Sequence, residues 1–287
     1  MEGRRKVTDS RETASFQGEL GAFSQQAIRQ LLGPDASPKP YQRFDEAFKA
    51  LRDKKVTAAV IPIENTLHGS VHENYDHLLN FDHEIVAETS VRIVHNLIAC
   101  PGVSFSKVKR VYSHPVALTQ CLRFFERNPQ VERVPFYDTA GSVKMILEQN
   151  LPDAAAIASS LSAEIYGGRI LKKSIEDDRE NHTRFFLLRP PGQRRIDSNE
   201  YAHWKTSIVF TTRNTPGSLF RGLAAFALRD ISLAKIESRP IRGKPWEYLF
   251  YLDVHGHIDE PRVKNALAHL SELADMIRML GCYPKGY

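Results

Sequence analysis

Cysteine, tryptophan and long apolar runs are scarce in this chain. Three cysteines, Cys100, Cys121 and Cys282, stand far apart among 287 residues. Their odd number and the lack of any CxxC or Cys/His cluster argue against zinc and for free thiols in a reducing compartment. No stretch reaches the length of a membrane span. The N-terminal segment MEGRRKVTDSRETASF is basic but has no apolar core behind it, so it does not read as a secretory leader. The expectation is a cytoplasmic protein. No dense Lys/Arg run with interleaved aromatics marks a nucleic-acid groove, and no phosphate-gripping loop with its lysine is present.

What is there begins with ordinary bulk numbers. An apolar content of 42% and a charged content of 25% fit a soluble globular protein, and the length allows two domains. The net charge of +5 is spread along the chain. It reads first as a solvated surface with a small excess of Lys and Arg, and only secondarily as an aid to an anionic ligand. A polar stretch at 191–203, PGQRRIDSNEYAH, reads as a linker between residues 1–190 and 204–287.

Before the linker, short apolar runs alternate with amphipathic segments. Strands are predicted at 56–63, 91–99, 110–112 and 154–158, and helices at 44–53, 71–79, 116–127, 140–148 and 160–166. The alternation predicts an α/β domain with a mostly parallel sheet, whose ligands gather at the carboxyl ends of strands. One such end is AVIPIENTLHGSV, where the apolar run breaks off into Glu64, Asn65, Thr66, His68 and Ser70. Ser70 is expected to cap the next helix. Four more loops share the design: Gly18, Gly21 and Ser24; Ser113 and His114; Asp138 and Thr139; and Asn181, His182, Thr183 and Arg184. Each has a plain structural reading, since Ser, Thr, Asp and Gly favour helix starts. Together they suggest a cleft lined by helix N-termini, suited to an anion.

From 204 onward the order is strand, helix, two strands, helix, strand: a ferredoxin-like βαββαβ unit. Leu219, Leu223 and Phe226 fall at helical spacing and read as core. Glu237, Ser238 and Arg239 interrupt the alternation of a strand, and by themselves read as a solvated strand end or an edge bulge.

In order, the motifs GELGAFS, IPIENT, SHPVALTQC, NHTRFF, NTPGSL and ESRP resemble those of the prephenate dehydratase family, from about Thr13 to Cys282. The resemblance implies a two-lobed catalytic domain, similar to periplasmic binding proteins, with its second lobe at about 93–173. It also implies a C-terminal ACT regulatory domain at 204–287. The implied reaction converts prephenate to phenylpyruvate, water and carbon dioxide in L-phenylalanine biosynthesis, without metal or organic cofactor. Arogenate dehydratase, which yields phenylalanine directly, has nearly the same motifs and is the alternative. A non-enzymatic amino-acid sensor is a weaker one, since it would not need Thr183, Glu64 and Asn65 together.

Carried onto this chain, the resemblance makes Thr183 the donor at the leaving hydroxyl. Glu64 is then either its acid or a residue that orients Asn65 or Arg184. Asn65, Thr66 and Ser113, with Thr139 and Asn181, are the expected substrate holders. Arg184 either neutralises a substrate carboxylate or forms a structural ion pair. Phe185 lines the cleft wall, and His114 has a structural hydrogen-bonding role. The chain departs from the family pattern at Glu19 and Ala22, where proline and threonine are usual, at Thr66 for serine and at Val116 for glutamine. The ACT likeness implies a phenylalanine site between subunits of a homodimer or homotetramer. It is made by Asn214, Pro216, Gly217, Ser218 and Leu219 with Glu237, Ser238 and Arg239 of a neighbour, and Leu233 helps form its apolar pocket.

Overall fold

The computed structural model describes residues 12–192, 203–241 and 243–286. Most of the expected linker, 193–202, therefore lies outside the described residues. The chain divides into two units, and the division falls twice within the sequence. Unit 1 holds the chain up to Phe81 and Thr89–Phe185; unit 2 holds Asp82–Glu88 and the chain from Phe186.

Unit 1 contains two sheets. The first is built from β1 (Thr13–Gln17), β2 (Ser37–Tyr41), β3 (Ala58–Asn65), the two-residue β4 (Gly69–Ser70) and the start of β11 (His182–Arg189), with α1 (Phe23–Leu32), α2 (Phe44–Arg52) and α3 (His72–Asn80) between strands. Its order is β11-β3-β1-β2, with β1 parallel to both β2 and β3. β2 reads SPKPY, and its two prolines hide it from a strand search. They are tolerated because β2 is an edge strand with half of its donors facing solvent.

The second sheet uses β6 (Asn96–Ala99), β7 (Arg110–Ser113), β8 (Glu132–Pro135), β9 (Ala154–Ala158) and β10 (Arg169–Lys172). β7 runs parallel to β8 and β9, whereas β6 is antiparallel to β9 and β10. The sheet is thus mixed rather than mostly parallel. β9 reads AAAIA, with every residue buried. Ala155 and Ile157 enter one core with Leu97, Val111 and Phe124, while Ala154, Ala156 and Ala158 enter another with Val143 and Ile146. This is the two-sided burial of a central strand.

Two sequence expectations fail here for identifiable reasons. The run 91–99 is two strands: β5 (Glu84–Arg92) ends at Arg92, and β6 starts at Asn96 in the other sheet. The helix at 116–127 is broken into α4 (Pro115–Thr119) and α5 (Leu122–Glu126). Asp177 accepts from the backbone N–H groups of Leu122 (2.7 Å) and Arg123 (3.0 Å), which restarts the helix after Gln120. α6 (Thr139–Glu148) and α7 (Ser160–Tyr166) appear as expected; α7 stops at Gly167, which takes the left-handed conformation at φ 76°.

Unit 2 is β12 (Trp204–Thr211), α8 (Ser218–Ala227), β13 (Leu233–Pro240), β14 (Tyr248–His255), α9 (Pro261–Leu273) and β15 (Met276–Pro284). This is the expected βαββαβ order, with strands arranged β13-β14-β12-β15. Phe226 is buried with Ile208, Phe210 and Leu270, and Leu219 and Leu223 pack against that core. Within the same unit Lys205 and Glu88 form a buried ion pair at 2.7 Å.

Candidate functional site

The centre of unit 1 is the place where β3 ends beside the start of β11. Asn65, the last residue of β3, uses its whole amide. Its Nδ2 donates to Asn181 Oδ1 (2.8 Å), the His182 carbonyl (3.1 Å) and Thr183 Oγ1 (3.0 Å). Its Oδ1 accepts from the N–H groups of Leu67 and His68, both at 3.0 Å. This is an Asx turn that folds the chain back into β4, which pairs with Glu64 and Asn65. Asn65 lines the same cavity as Thr183, but each polar atom of its amide already has a partner within the protein, and one of those partners is the Thr183 hydroxyl, which it positions. Because Thr183 Oγ1 accepts from Asn65, its own hydroxyl proton is free to donate.

Thr183 and Phe185 line a cavity of about 300 Å3. The starts of four helices open onto it: Phe23 and Ser24 of α1, Val71 at the cap of α3, His114 at the cap of α4, and Thr139 of α6. Free backbone N–H groups at such ends favour a carboxylate. Among the described residues no lysine or arginine lines the cavity, and Asp138 is its carboxylate. Asp138 caps α6, accepting from the Gly141 N–H at 2.7 Å. Burial pushes its pKa above the ordinary carboxylate range, and the Glu19 charge adds to the shift.

Three cavity residues, of which the sequence pattern singles out only His68, are linked to one another. Gln120 bonds through Oε1 to His95 Nε2 (2.8 Å) and through Nε2 to His68 Nδ1 (3.1 Å). This pattern assigns His95 a proton on Nε2 and His68 a lone pair on Nδ1. Burial lowers the pKa of His95 and keeps it neutral; its Nδ1 is buried without a partner. The quoted motif SHPVALTQC contained Gln120, but nothing in the sequence ties it to histidines 25 and 52 residues away.

Other expected site residues lie elsewhere. Side chains alternate across a strand, so Arg184, between Thr183 and Phe185, cannot share their face. Neither Arg184 nor Glu64 lines the cavity; they face each other at 3.8 Å. Of the alternatives open for each, this geometry favours Glu64 orienting Arg184 and Arg184 forming an ion pair with it. Thr66 spends its hydroxyl on the Glu180 carbonyl (2.8 Å) and the His182 N–H (3.0 Å). Ser113 is fully buried and donates to the Ile157 carbonyl at 2.6 Å. Asn181 is also fully buried. None of these three reaches the cavity. Ser70 lines the cavity from β4, and the cap position of α3 is Val71. His114 does line the cavity, and it caps α4, accepting from the Val116 N–H at 3.2 Å. Replacing Glu64 by glutamine is expected to keep kcat within about fivefold, because Glu64 does not line the cavity. A hundredfold loss would return the acid role to it.

The glycine loop ties the two lobes of unit 1 together. The Gly21 carbonyl accepts from Ser159 Oγ (2.6 Å) and Ser162 Oγ (2.9 Å). Glu19 accepts from Tyr137 OH at 3.1 Å and pairs with Lys144 at 3.2 Å. Burial, reinforced by that carboxylate, pushes the Tyr137 hydroxyl up to about 12.

Unit 2 carries its own cavity, of about 360 Å3, at the start of α8. Asn214, Gly217, Ser218 and Leu219 line it together with Phe220, Tyr248 and Phe250, whereas Pro216 does not. Ser218 Oγ is already spent on the Arg213 (2.7 Å) and Thr215 (2.8 Å) carbonyls, and Asn214 donates to the Trp246 carbonyl at 3.0 Å. Leu233 packs into the core instead of lining this cavity. Glu237, Ser238 and Arg239 are on the edge strand β13 and do not enter it within one chain.

Comparison with known proteins gives a family for each part of the chain. Residues 14–193 match the family model for prephenate dehydratase, and residues 206–271 match that for the ACT domain. Arogenate dehydratase/prephenate dehydratase 2 of Arabidopsis thaliana is 43% identical over 288 residues, covering 96% of this chain and 73% of the relative. The structure of prephenate dehydratase from Arthrobacter aurescens in complex with L-Phe superposes with a TM-score of 0.87 at 34% identity, covering 95% of this chain and 90% of that one. A structure described as GqqA, a novel type of quorum quenching acylase, also gives 0.87, at 30% identity over 96% and 98% of the two chains. The cytoplasmic expectation is overturned: the Arabidopsis relatives are chloroplastic proteins. An apolar leader core is no test for plastid targeting, since transit peptides have none.

Proposed function

Because the chain belongs to the prephenate dehydratase family and carries an ACT domain, we propose that it is an arogenate dehydratase that also turns over prephenate, under phenylalanine control. The family-level chemistry is a decarboxylating dehydration in phenylalanine biosynthesis. The ring carboxylate leaves as carbon dioxide, its electron pair enters the ring, and the hydroxyl opposite departs as water once protonated. The barrier lies in a poor leaving group and in holding an anion in an elimination geometry. One observation carries the assignment: the Thr183 hydroxyl is fixed at the cavity wall by Asn65 with its proton free to donate. Helix N-termini receive the substrate carboxylates. Hydrolysis, the chemistry in the name of the similar acylase, would need a base on the nucleophile, and Thr183 is bonded to an amide donor instead.

Two observations favour arogenate. Plant relatives 40% to 43% identical bear the name arogenate dehydratase, several with prephenate dehydratase beside it. Arogenate differs from prephenate by an ammonium group in place of a keto oxygen. A cavity with one carboxylate and no lysine or arginine in its lining suits that cation. Asp138 is the partner offered to it. Comparing kcat/KM for the two substrates tests the proposal: a ratio favouring arogenate is expected. Prephenate used equally well would overturn the preference, and turnover of neither would overturn the activity.

Asp138→Asn keeps the helix cap but removes the charge. Arogenate kcat/KM is expected to fall by roughly tenfold or more, on the scale of a charge-assisted hydrogen bond, with prephenate less affected. The sign with pH follows. Asp138 must be ionised to hold an ammonium, and its pKa is raised. In the parent, arogenate kcat/KM therefore falls as pH drops through that raised value, and the asparagine variant lacks this limb.

For regulation, phenylalanine is the proposed effector of unit 2, bound at the α8 loop of paired ACT domains. Support comes from the phenylalanine complex of the Arthrobacter relative and from apolar groups left exposed on this unit, Phe220 at 75% and Trp246 at 77%. A homodimer or a tetramer of dimers would cover them.

A further inference from the structure

Unit 1 has a second cavity, of about 550 Å3, formed by α5 and the segment 172–179. Arg123, Arg127, Lys172 and Arg179 line it, along with Glu176 and Asp177. The two carboxylates are spent internally. Asp177 holds the Leu122 and Arg123 N–H groups (2.7 and 3.0 Å), and Glu176 takes Arg92 at 3.3 Å and the His95 N–H at 2.9 Å. Of the cations, Arg123 donates weakly to the Asp177 carbonyl at 3.5 Å. Among the described residues, Arg127 and Arg179 have no carboxylate partner, and the Lys172 ammonium sits 4.1 Å from the Phe105 ring centroid. An adjoining cavity of about 470 Å3 shares Ser174 and Arg179 and adds Arg92. Ser174, common to both, has φ 51°, a left-handed conformation uncommon outside glycine and enriched at ligand sites.

We propose that this cavity is a binding site for a small molecule bearing clustered phosphate groups. Several forked guanidinium groups around one space match phosphate oxygens in pairs. The substrate cavity, by contrast, has no arginine in its lining, so the two cavities select different anions. The site is wired to the reaction centre through its own backbone. Ile175 N–H donates to the His95 carbonyl at 2.9 Å, and Asp177 N–H to the Gln120 carbonyl at 2.8 Å. A ligand that orders 174–179 acts directly on the residues that hold His68, so binding is coupled to the substrate cavity and the coupling is reciprocal.

Titration calorimetry of the full chain with inorganic pyrophosphate, at low salt and without metal, tests this independently of turnover. Saturable binding that weakens as salt rises is expected. The double variant Arg127→Ala/Arg179→Ala should bind about tenfold or more weakly, since each lost contact is charge-assisted, while basal kcat is unchanged. A parallel arm with a nucleoside triphosphate distinguishes a nucleotide from a bare polyphosphate by which binds more tightly. In the parent, saturating pyrophosphate should shift the substrate KM, and in the double variant it should not. Absence of saturable binding to the parent, or binding undiminished in the double variant, would overturn the proposal.

Discussion

Thr183→Ala is expected to fold normally and to lose roughly a hundredfold or more in kcat, the scale of deleting one preorganised donor at a developing negative charge. KM should change little, because the hydroxyl matters most when the ring C–O bond is breaking. Thr183→Ser keeps the oxygen at the end of the Asn65 bond and should retain most of the rate. Asn65→Ala removes the group that fixes that oxygen and also releases the turn at Leu67 and His68. Its loss should be of similar size. The two losses should not multiply in the double variant, since both act through one hydroxyl. Steady-state kinetics on the parent, the three single variants and the double variant decide the matter. Near-parental turnover by Thr183→Ala would sink the donor role.

Strand parity separates Thr183 from Arg184, which the sequence motif groups together. A polar burst at a strand end shows that some side chains face a ligand, but not which alternate set does. Thr183 and Phe185 share the cavity face of β11, and Arg184 points the other way to meet Glu64. Parity bears on Ser113 too: in β7, Val111 and Ser113 form the buried set. The βαββαβ unit was legible because each of its elements carries its own apolar periodicity between clear turns. The Gln120 bridge was not, because its partners come from two other elements of the fold. β2 was hidden by prolines that only an edge position tolerates.

Gly217→Val is expected to weaken phenylalanine inhibition by about tenfold or more while leaving basal kcat intact, on the proposal that the α8 loop holds the effector. Gly217 is the residue before the first turn of α8 and sits at φ 80°. A β-branched residue resists that conformation, at a cost on the order of 1–3 kcal/mol. The loop would relieve the strain by rotating, which turns the first N–H groups of α8 away from a bound carboxylate. Bulk is not the cause: a Cβ added at Gly217 would meet only the Arg221 guanidinium, at 3.5 Å. Strain and bulk are therefore separable. Asparagine is far larger than alanine yet tolerates the left-handed region better. Gly217→Asn should keep more inhibition than Gly217→Ala, and valine should keep least. Inhibition curves and calorimetry on the full chain measure this order, and sedimentation with and without phenylalanine measures the linked assembly. If the effector binds between copies, it must tighten the oligomer by the factor by which the oligomer tightens it. A valine variant inhibited at the parent's phenylalanine concentration would remove the loop from the effector site. A reversed order, with alanine retaining more than asparagine, would make bulk rather than backbone conformation the determinant.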